Sequence, residues 1–350
     1  MPWVIDVETN GLLPEASKVH CIVAQDFNNG QTMSFKQDEC LYLFPPWARS
    51  VDQFIMHNGV SFDAPVLNKL VGTKIKVSDV VDTLILSQLY NPIRPNGHSL
   101  AAWGERLGMP KGNHTEFHEF SGEMVRYCNQ DVKITRKLMQ ELSQEGQGFS
   151  PKSVRLEHNI RAILDQQEET GFALDVPYTT ALMGKLEDEA DHIENNLQGI
   201  FEPIVHERVS EKTGKRLKDK VEIFNPSSRQ QIASRLMELG WKPTQRTEKG
   251  NIIVDEKILS GIDLPEAKQI SHYLLLQKRV SQIRSWLEAC VDGRVHGTVM
   301  TLKTITSRMA HSSPNMAQIP ASYSAYGTEC RTCWTVSNPL THCLVGTDAS

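Results

Sequence analysis

The feature that most constrains this chain is a pair of carboxylates at the end of its first apolar run, WVIDVETNGL in residues 3–12. The apolar run predicts a buried strand, and strand side chains alternate between the faces of a sheet, so Asp6 and Glu8 share one face. Two carboxylates in one small space repel each other unless a cation or a proton lies between them. The pattern predicts a metal site, with the acids of a solvated strand end as the alternative.

Three further candidate residues lie on the elements that follow. Asp63 comes after a predicted strand at residues 53–56 and begins a predicted helix, where a simple N-cap is the alternative. Tyr127 and Asp131 are one turn apart on a predicted helix at residues 121–142, so their side chains project from one face. A surface pair is the alternative for these two, and only the combination of the acids with the tyrosine favours a catalytic centre.

The chain divides into two regions of different pattern. Strand-like runs at residues 21–27 and 32–36, joined by an Asn-Asn-Gly turn, predict a hairpin that follows the first strand along the chain. A linker at residues 144–152, which contains Gly, Ser and Pro, marks a change to long helical patterns. We therefore predict an α/β domain at residues 1–148 and a mostly helical region at residues 149–350.

Composition excludes several classes of protein. At 350 residues the chain is long enough for two domains, and its net charge of −5 argues against a uniformly basic nucleic-acid binder. No apolar segment approaches the ~20 residues of a membrane span, which predicts a cytoplasmic protein without a membrane partner. The seven scattered cysteines indicate reduced thiols rather than a disulfide framework.

Two short motifs leave alternatives open. Cys330 and Cys333 form a Cys-x-x-Cys pair, for which buried thiols are the default and a zinc or redox role is the alternative. His114 and His118 have the spacing of a helical metal pair, but little apolar periodicity supports a helix there, so the default is a solvated polar loop. Both alternatives stay open on the residues alone.

Three segments of the first region resemble a known family of nucleases. DVETNGL, HNGVSFDAPVL and YCNQDV are similar, in that order, to the three exonuclease motifs of the DEDDy class, the 3′-to-5′ proofreading exonucleases of family A DNA polymerases. The resemblance is strongest to the replicative polymerases of short-tailed T-odd phages. It implies an α/β, ribonuclease-H-like domain with a mixed sheet and flanking helices.

The resemblance also implies a role for each candidate residue. Two Mg²⁺ ions, or Mn²⁺ in their place, would be held by Asp6, Glu8, Asp63 and Asp131, while Tyr127 would orient the attacking water. Hydrolysis of this kind uses two ions about 3.5–4 Å apart, one that activates the water and one that stabilises the leaving 3′ oxygen. Contacts with a single-stranded 3′ end of DNA are implied for Thr9, Asn10 and Asn58.

The second region resembles the polymerase part of the same family. FNPSSR at residues 224–229 is similar to the thumb motif, and Ser227 has capping-box spacing to Gln230, so the loop would open a helix whose amide groups meet a DNA phosphate. An ordinary capped helix is the alternative. TITSRMAHSSPNMAQIP at residues 304–320 is similar to the primer-strand contact region, with Ser307 where the family has Gly. Contacts with primer-template DNA are therefore implied for Asn225, Ser227, Ser228, Arg229, Lys278, Arg279, Arg308, Asn315 and Gln318.

The resemblance also bears on protein partners. A polar segment at residues 206–220 carries clustered lysines, which favour either contact with a phosphate backbone or a solvated basic loop. The segment is too short to match the thumb insert of the phage polymerases that bind host thioredoxin. We therefore expect no thioredoxin binding.

The last residues, VGTDAS, resemble the opening of polymerase motif A, in which Asp348 would be one of two palm metal ligands. Nucleotidyl transfer needs both ligands. We expect the N-terminal part or subunit of a split family A replicative polymerase, an exonuclease whose thumb and partial palm bind primer-template. DNA synthesis would then need a C-terminal polymerase chain with the fingers and the remaining palm. The alternative is a DNA-binding subunit that completes a heterodimeric polymerase and has weak or no nuclease activity of its own.

Overall fold

The computed structural model describes residues 1–13, 15–209 and 214–336, and its contacts divide the chain into two compact units. The first unit comprises Met1–Thr170 and Gly297–Asn315. The second comprises Gly171–His296 and the described residues from Met316 onward. Both units mix helices with strands, in agreement with the predicted α/β class.

A five-stranded mixed sheet forms the centre of the first unit. Its strands are β1 (Pro2–Thr9), β2 (Val19–Asp26), β3 (Thr32–Lys36), β4 (Gln53–Met56) and β5 (Val80–Asp82), in the order β3-β2-β1-β4-β5. β1 pairs antiparallel with β2 and parallel with β4, and β4 pairs parallel with β5. The carboxyl ends of β1, β4 and β5 therefore lie at one edge of the sheet.

Helices cover both faces of this sheet. They are α1 (Glu39–Tyr42), α2 (Phe44–Ala48), α3 (Asp63–Val66), α4 (Thr83–Tyr90), α5 (Leu100–Arg106), α6 (Gly122–Glu145) and α7 (Pro151–Thr170), with a π-turn at Leu67–Val71 and a 3-10 turn at Val77–Asp79. On one face Val4 and Ile55 pack against Met124 and Val132 of α6. On the opposite face, Ile5 belongs to the cluster that packs against α1, α2 and α3. Successive side chains of β1 therefore pack into two separate apolar layers, one on each face of the sheet.

Helix α7 packs with the first unit, although it follows the linker predicted at residues 144–152. The Ser61 hydroxyl donates a hydrogen bond to Asp165 of α7 at 2.8 Å, and Arg155 of α7 donates to two backbone carbonyl oxygens of the 3-10 turn. Contacts between residues so far apart in sequence carry no local signal. The structural division therefore falls at Thr170, and the functional boundary at residue 148 stays a prediction.

The second unit is built around two long helices. In chain order its elements are β6 (Phe172–Leu174), α8 (Val176–Ile200), β7 (Ile204–Val209), β8 (Arg216–Glu222), α9 (Arg229–Glu238), α10 (Glu256–Ser260), α11 (Pro265–Glu288), β9 (Cys290–Val291) and β10 (Arg294–Val295). The core between α8 and α11 contains the fully buried side chains of Leu186, Leu197, Ile270, Leu276 and Trp286. This stripe matches the apolar periodicity of the sequence.

The chain then crosses between the units twice. β11 (Thr298–Met300) and β12 (Ala310–Ser312) form an antiparallel pair in the first unit. A 3-10 turn at Met316–Gln318, α12 (Gly327–Thr332) and β13 (Trp334–Thr335) then complete the described part of the second unit. β13, β6, β10 and β9 make up its four-stranded sheet.

Two local expectations for the second unit do not hold. Of the two alternatives for residues 206–220, the solvated loop is wrong where the structure describes the segment, because β7 and β8 pair antiparallel and their largely exposed strands show no apolar alternation. The N-cap of α9 is Ser228, whose hydroxyl accepts a hydrogen bond from the Gln231 amide at 3.4 Å, rather than Ser227.

None of the helices in the described ranges combines the length and the apolar composition that crossing a membrane requires.

Candidate metal centre

Strand alternation and one helix face bring the first acids together. Asp6 and Glu8 follow Val4 on the face of β1 that packs against α6, and Cys128 of α6 lies beside them. One ligand atom from each of Asp6, Glu8 and Cys128 lies within 4.8 Å of the others. The Cys128 thiol also donates a hydrogen bond to the Asp6 carbonyl oxygen at 3.4 Å, which ties the strand to the helix. No other group of three metal-ligating side chains is this close within the described ranges.

Asp63 begins α3 at the same edge of the sheet. It follows β4, the parallel neighbour of β1, and is 4% exposed. The N-cap alternative does not hold, because Phe62 occupies the cap position and Asp63 is the first helical residue. Burial raises the pKa of Asp63 well above its ordinary value, and the charges of Asp6 and Asp82 raise it further. Asp63 therefore interacts electrostatically with the acids on β1.

Asp82 holds the loop that leads from β4 into α3. Its carboxylate accepts hydrogen bonds from the backbone amides of Asn58 and Val60, at 3.0 Å each, and of Leu84 at 2.9 Å. His158 of α7 accepts a hydrogen bond from the Asp82 amide at 2.9 Å. Asn58 has a left-handed φ of 65°, which a short polar side chain tolerates better than most. This buried network fixes the turn that precedes α3.

Tyr127 and Asp131 lie one turn apart on α6, and a lysine from the preceding loop contacts both. The Lys111 ammonium lies 2.7 Å from Asp131 Oδ2 and 4.9 Å from the centroid of the Tyr127 ring. The Asp131 side chain is 3% exposed, so this ion pair is largely shielded from solvent. One oxygen of a buried carboxylate is thus already bound to a cation.

Burial and mutual repulsion control the protonation of these acids. Burial, together with the charge of Asp131, raises the pKa of Asp6 from 3.8 to about 7. Burial, together with the charge of Asp6, raises the pKa of Glu8 from 4.5 to about 9. Burial also raises the pKa of Asp131, and the charge of Lys111 opposes that rise. Without metal, the centre therefore retains protons at neutral pH.

The donor set fits a hard divalent cation. Mg²⁺ prefers carboxylate oxygens, which this edge of the sheet supplies. Asp131 Oδ1 is buried and has no hydrogen-bond partner among the described residues, so one acceptor is left over for a cation. Burial raises the pKa of the Cys128 thiol well above its ordinary value, so the thiol stays protonated and is a poor ligand for Mg²⁺.

Aromatic side chains from the preceding loop surround Tyr127. The ring of His114 lies 5.7 Å from the Tyr127 ring, and the ring of Phe117 lies 6.2 Å from it. The backbone at residues 109–117 is not helical, and His118 is exposed. The alternative of a helical histidine pair is therefore wrong, and His114 instead packs beside the tyrosine.

Local hydrogen bonds occupy two of the residues assigned to the 3′ end. The Thr9 hydroxyl donates to the Gly11 carbonyl oxygen at 2.7 Å. Asn10 Oδ1 accepts from the amides of Ser17 and Lys18 at 3.0 Å each. Both side chains shape the turn after β1, and their contact with DNA stays a prediction.

The loop before α9 is also held by its own hydrogen bonds. Asn225 Oδ1 accepts from the Ser227 amide at 2.8 Å, and the Ser227 hydroxyl lies 3.3 Å from the hydroxyl of Tyr273. Ser228 caps α9, and the exposed Arg229 donates to a backbone carbonyl oxygen at 2.7 Å. The loop is thus well defined without a ligand, and its contact with a phosphate stays a prediction.

The predicted basic contacts on α11 differ in exposure. Lys278 is exposed, whereas Arg279 is only 8% exposed and its Nε donates to the Ala325 carbonyl oxygen at 3.3 Å. Arg279 therefore supports packing within the second unit, and its predicted contact with DNA does not fit this burial. Gln318 is exposed, and its backbone carbonyl oxygen accepts a hydrogen bond from Gln282.

The predicted primer-contact residues of the first unit are exposed, Arg308 on a turn before β12 and Asn315 after that strand. Ser307 has a φ of 59°, so the turn keeps a left-handed conformation that costs a non-glycine residue roughly 1–2 kcal/mol. The Arg308 amide closes this turn by donating to the Thr304 hydroxyl at 2.8 Å, and both Arg308 and Asn315 are exposed. Asp348 lies outside the described residues.

Two residues of the centre, Cys128 and Lys111, were not identified from the sequence. Cys128 precedes Asp131 by three positions, so helical periodicity could have placed both on one face. Lys111 lies in a segment without periodicity, and no sequence signal connects it to Asp131.

Comparison with known proteins relates the chain to a family model, to curated phage proteins and to a solved structure. Residues 203–350 match the family model described as DNA polymerase family A. The DNA-directed DNA polymerases of Enterobacteria phage T3 and Escherichia phage T7 are 28% and 27% identical to this chain, over 94% of this chain and 64% of each relative. A solved structure, described as the POL domain of Pol1 from M. smegmatis in complex with DNA primer-template and dNTP, aligns with a TM-score of 0.70 and 16% identity, over 96% of this chain and 55% of that one. That structural likeness concerns the fold.

The class of protein comes first: residues 203–350, which are less than half of the chain, match the model of DNA polymerase family A. More particularly, the chain is similar to the DNA-directed DNA polymerases of phages T3 and T7 over 94% of its length. It spans 64% of the length of those relatives.

Proposed function

We propose that the first unit is a metal-dependent 3′-to-5′ exodeoxyribonuclease of the DEDDy class, carried on a ribonuclease-H-like domain. The observation that carries the proposal is the convergence of buried acids, joined by Tyr127, at one edge of a mixed sheet. The similarity to phage DNA polymerases supports DNA as the substrate and proofreading as the role.

Each residue of the chain would have a definite task in this reaction. Two bound Mg²⁺ ions would supply Lewis-acid activation of water and stabilisation of the leaving oxygen. Asp6, Glu8 and Asp63 would hold the ions through carboxylates that burial has already brought together. Asp131 offers its unpartnered Oδ1, and the Tyr127 hydroxyl would hold the attacking water without adding charge.

We also propose that the second unit binds primer-template DNA as part of a family A polymerase. The family match over residues 203–350 supports this role, as does the primer-template named for the structural neighbour. Exposed Lys278 and the loop before α9 are the candidate contacts.

A nuclease assay on 5′-labelled single-stranded DNA tests the exonuclease. We expect the wild-type protein to shorten the DNA stepwise from its 3′ end with Mg²⁺ and to leave it intact with EDTA. Asp6→Ala combined with Glu8→Ala should abolish the activity, because the two neighbouring carboxylates on one face of β1 are lost. Thermal unfolding should show the fold intact, since removing acids that repel each other does not destabilise the metal-free protein.

A matched control separates the site from a general loss of acidity. Asp38→Ala combined with Glu39→Ala removes an exposed Asp and Glu at α1, on the other face of the sheet, and should leave the rate unchanged. Degradation by the Asp6 and Glu8 double variant at near wild-type rate would show that the site is wrong. A wild-type protein that binds DNA without degrading it would favour the alternative of a DNA-binding subunit.

A further inference from the structure

The loop that carries Lys111 is fixed by contacts on both sides. Gly104 of α5 lies directly beneath it, and a Cβ there would be 2.7 Å from the Met109 carbonyl oxygen and 3.1 Å from the Lys111 amide nitrogen. From the other side, Gln130 of α6 donates a hydrogen bond to the Pro110 carbonyl oxygen at 3.2 Å. The backbone of Lys111 is therefore held between two helices although it belongs to neither.

The side chain of Lys111 contacts both functional residues of α6. Its ammonium lies 2.7 Å from Asp131 Oδ2 and 4.9 Å from the centre of the Tyr127 ring, within the range of a cation–π contact. Exposed ion pairs contribute little, but the Asp131 side chain is 3% exposed and the Lys111 side chain is 27% exposed. This pair is therefore better shielded from water than an ordinary surface pair.

The two carboxylate oxygens of Asp131 have different environments. Oδ2 is bound by the ammonium, while Oδ1 is buried and has no hydrogen-bond partner among the described residues. A carboxylate whose second oxygen is occupied can offer a metal ion only one oxygen. It also cannot rotate freely, since rotation would break the ion pair.

We propose that Lys111 is a positioning residue of the exonuclease centre. By binding Asp131 Oδ2 and the Tyr127 ring, Lys111 would direct Asp131 Oδ1 toward the metal ions and the Tyr127 hydroxyl toward the attacking water. The inference rests on the proposed exonuclease function. Lys111 acts through its two neighbours and does not touch the reacting atoms. Its charge is needed for geometry and not for attracting the ions, which it repels.

The variant Lys111→Met separates these roles, because it keeps the length of the side chain and removes the charge. With Oδ2 released, Asp131 misaligns, and we expect kcat on single-stranded DNA to fall roughly 10- to 100-fold with KM unchanged. Calorimetric titration of the metal-free protein with MgCl₂ should show equal or tighter binding, by roughly two- to tenfold, because a nearby positive charge has been lost. Lys111→Arg should restore most of kcat.

Lys133→Met is the matched control, since Lys133 is an exposed lysine on α6. It should change neither kcat nor Mg²⁺ affinity. If Lys111→Met does not fold, Gln130→Ala releases the same loop without a change of charge. A lower kcat with undiminished Mg²⁺ affinity in that variant supports the proposal, and an unchanged kcat overturns it.

Three results would overturn the inference. An unchanged kcat would make Lys111 irrelevant to the chemistry, and a raised KM with unchanged kcat would make it a DNA contact. Weaker Mg²⁺ binding would make it a support for the metal site as a whole. If the wild-type protein has no Mg²⁺-dependent activity, the proposed function itself fails, whereas an active wild type with an equally active Lys111→Met fails only this inference.

Discussion

Asp6 shows how strongly one carboxylate depends on its neighbours. On β1 its alternation with apolar residues is ordinary, but burial and the nearby Asp131 raise its pKa from 3.8 to about 7. The same shift would be costly in a residue without a function, since a buried acid that keeps its proton weakens the folded state at neutral pH. A divalent cation removes that cost, because it favours the ionised form.

Tyr127 provides the sharpest test at the residue scale. Tyr127→Phe keeps the ring that Lys111 contacts and removes only the hydroxyl. We expect the exonuclease rate to fall by roughly tenfold to a thousandfold, with little change in DNA affinity, because only the orientation of water is lost. Single-turnover degradation gives the rate, and fluorescence anisotropy gives the affinity.

Tyr323→Phe is the control for this change, because Tyr323 is 82% exposed. It should behave as wild type in both measurements. An unchanged rate for Tyr127→Phe would reduce Tyr127 to a packing residue and would contradict the assignment to the DEDDy class.

At the scale of elements, the centre depends on how strand ends and helix starts are joined. β1 and β4 end at one edge of the sheet because they pair in parallel, and α3 begins just beyond that edge with Asp63. The connecting loop is held by Asp82, which also caps α4 through the Leu84 amide. One buried carboxylate therefore organises both the loop and the following helix.

Asp82→Ala tests that role. The change leaves the buried amide of Val60 and the partly buried amides of Asn58 and Leu84 without their acceptor, and we expect the free energy of unfolding to fall by about 2–4 kcal/mol. Urea denaturation in EDTA measures the loss, which then does not depend on metal binding. Asp82→Asn keeps one acceptor oxygen and should lose clearly less. A loss below ~0.5 kcal/mol for the alanine variant would contradict this account.

At the scale of the whole molecule, the centre makes stability depend on pH and metal together. The pKa values of Asp6 and Glu8 are raised in the folded state, to about 7 and about 9, above their ordinary values of 3.8 and 4.5. Between those limits the unfolded chain releases protons that the folded chain retains. These two groups therefore stabilise the metal-free protein at low pH and destabilise it progressively as the pH rises.

Thermal unfolding at a series of pH values tests this prediction. In EDTA, the Tm of the wild type should fall relative to that of Asp6→Asn combined with Glu8→Gln as the pH rises through about 5 to 9, because the variant lacks these two ionising carboxyl groups. Added Mg²⁺ should raise the Tm of the wild type most at the high end of that range and leave the variant unchanged.

Comparison with the double variant cancels the effects of titratable groups that do not interact with Asp6 or Glu8. Burial lowers the pKa of His57 to about 3, so His57 destabilises both proteins equally as the pH falls below its ordinary value of 6.5. A wild-type Tm that rises relative to the variant with increasing pH, in EDTA, would contradict the shared burial of Asp6 and Glu8.

The sequence by itself determined the features that depend on local periodicity. The strands β2 and β4 follow from continuous apolar runs, and the two-faced pattern of α6 and the shared face of Asp6 and Glu8 follow from repeat lengths of 3.6 and two residues. The order of Asp6, Glu8, Asp63, Tyr127 and Asp131 was sufficient to propose the centre. Each of these residues carries its signal within its own element.

Only the tertiary structure decided the features that join distant parts of the chain. Lys111 reaches Asp131 because its loop lies between Gly104 and Gln130, and Arg279 is buried because residues near Ala325 fold onto α11. Helix α7 joins the first unit through contacts with residues far earlier in the sequence, such as the one between Asp165 and Ser61, which are 104 positions apart. Burial and the partner of a charge are set by long-range packing, which leaves no periodic trace in the sequence.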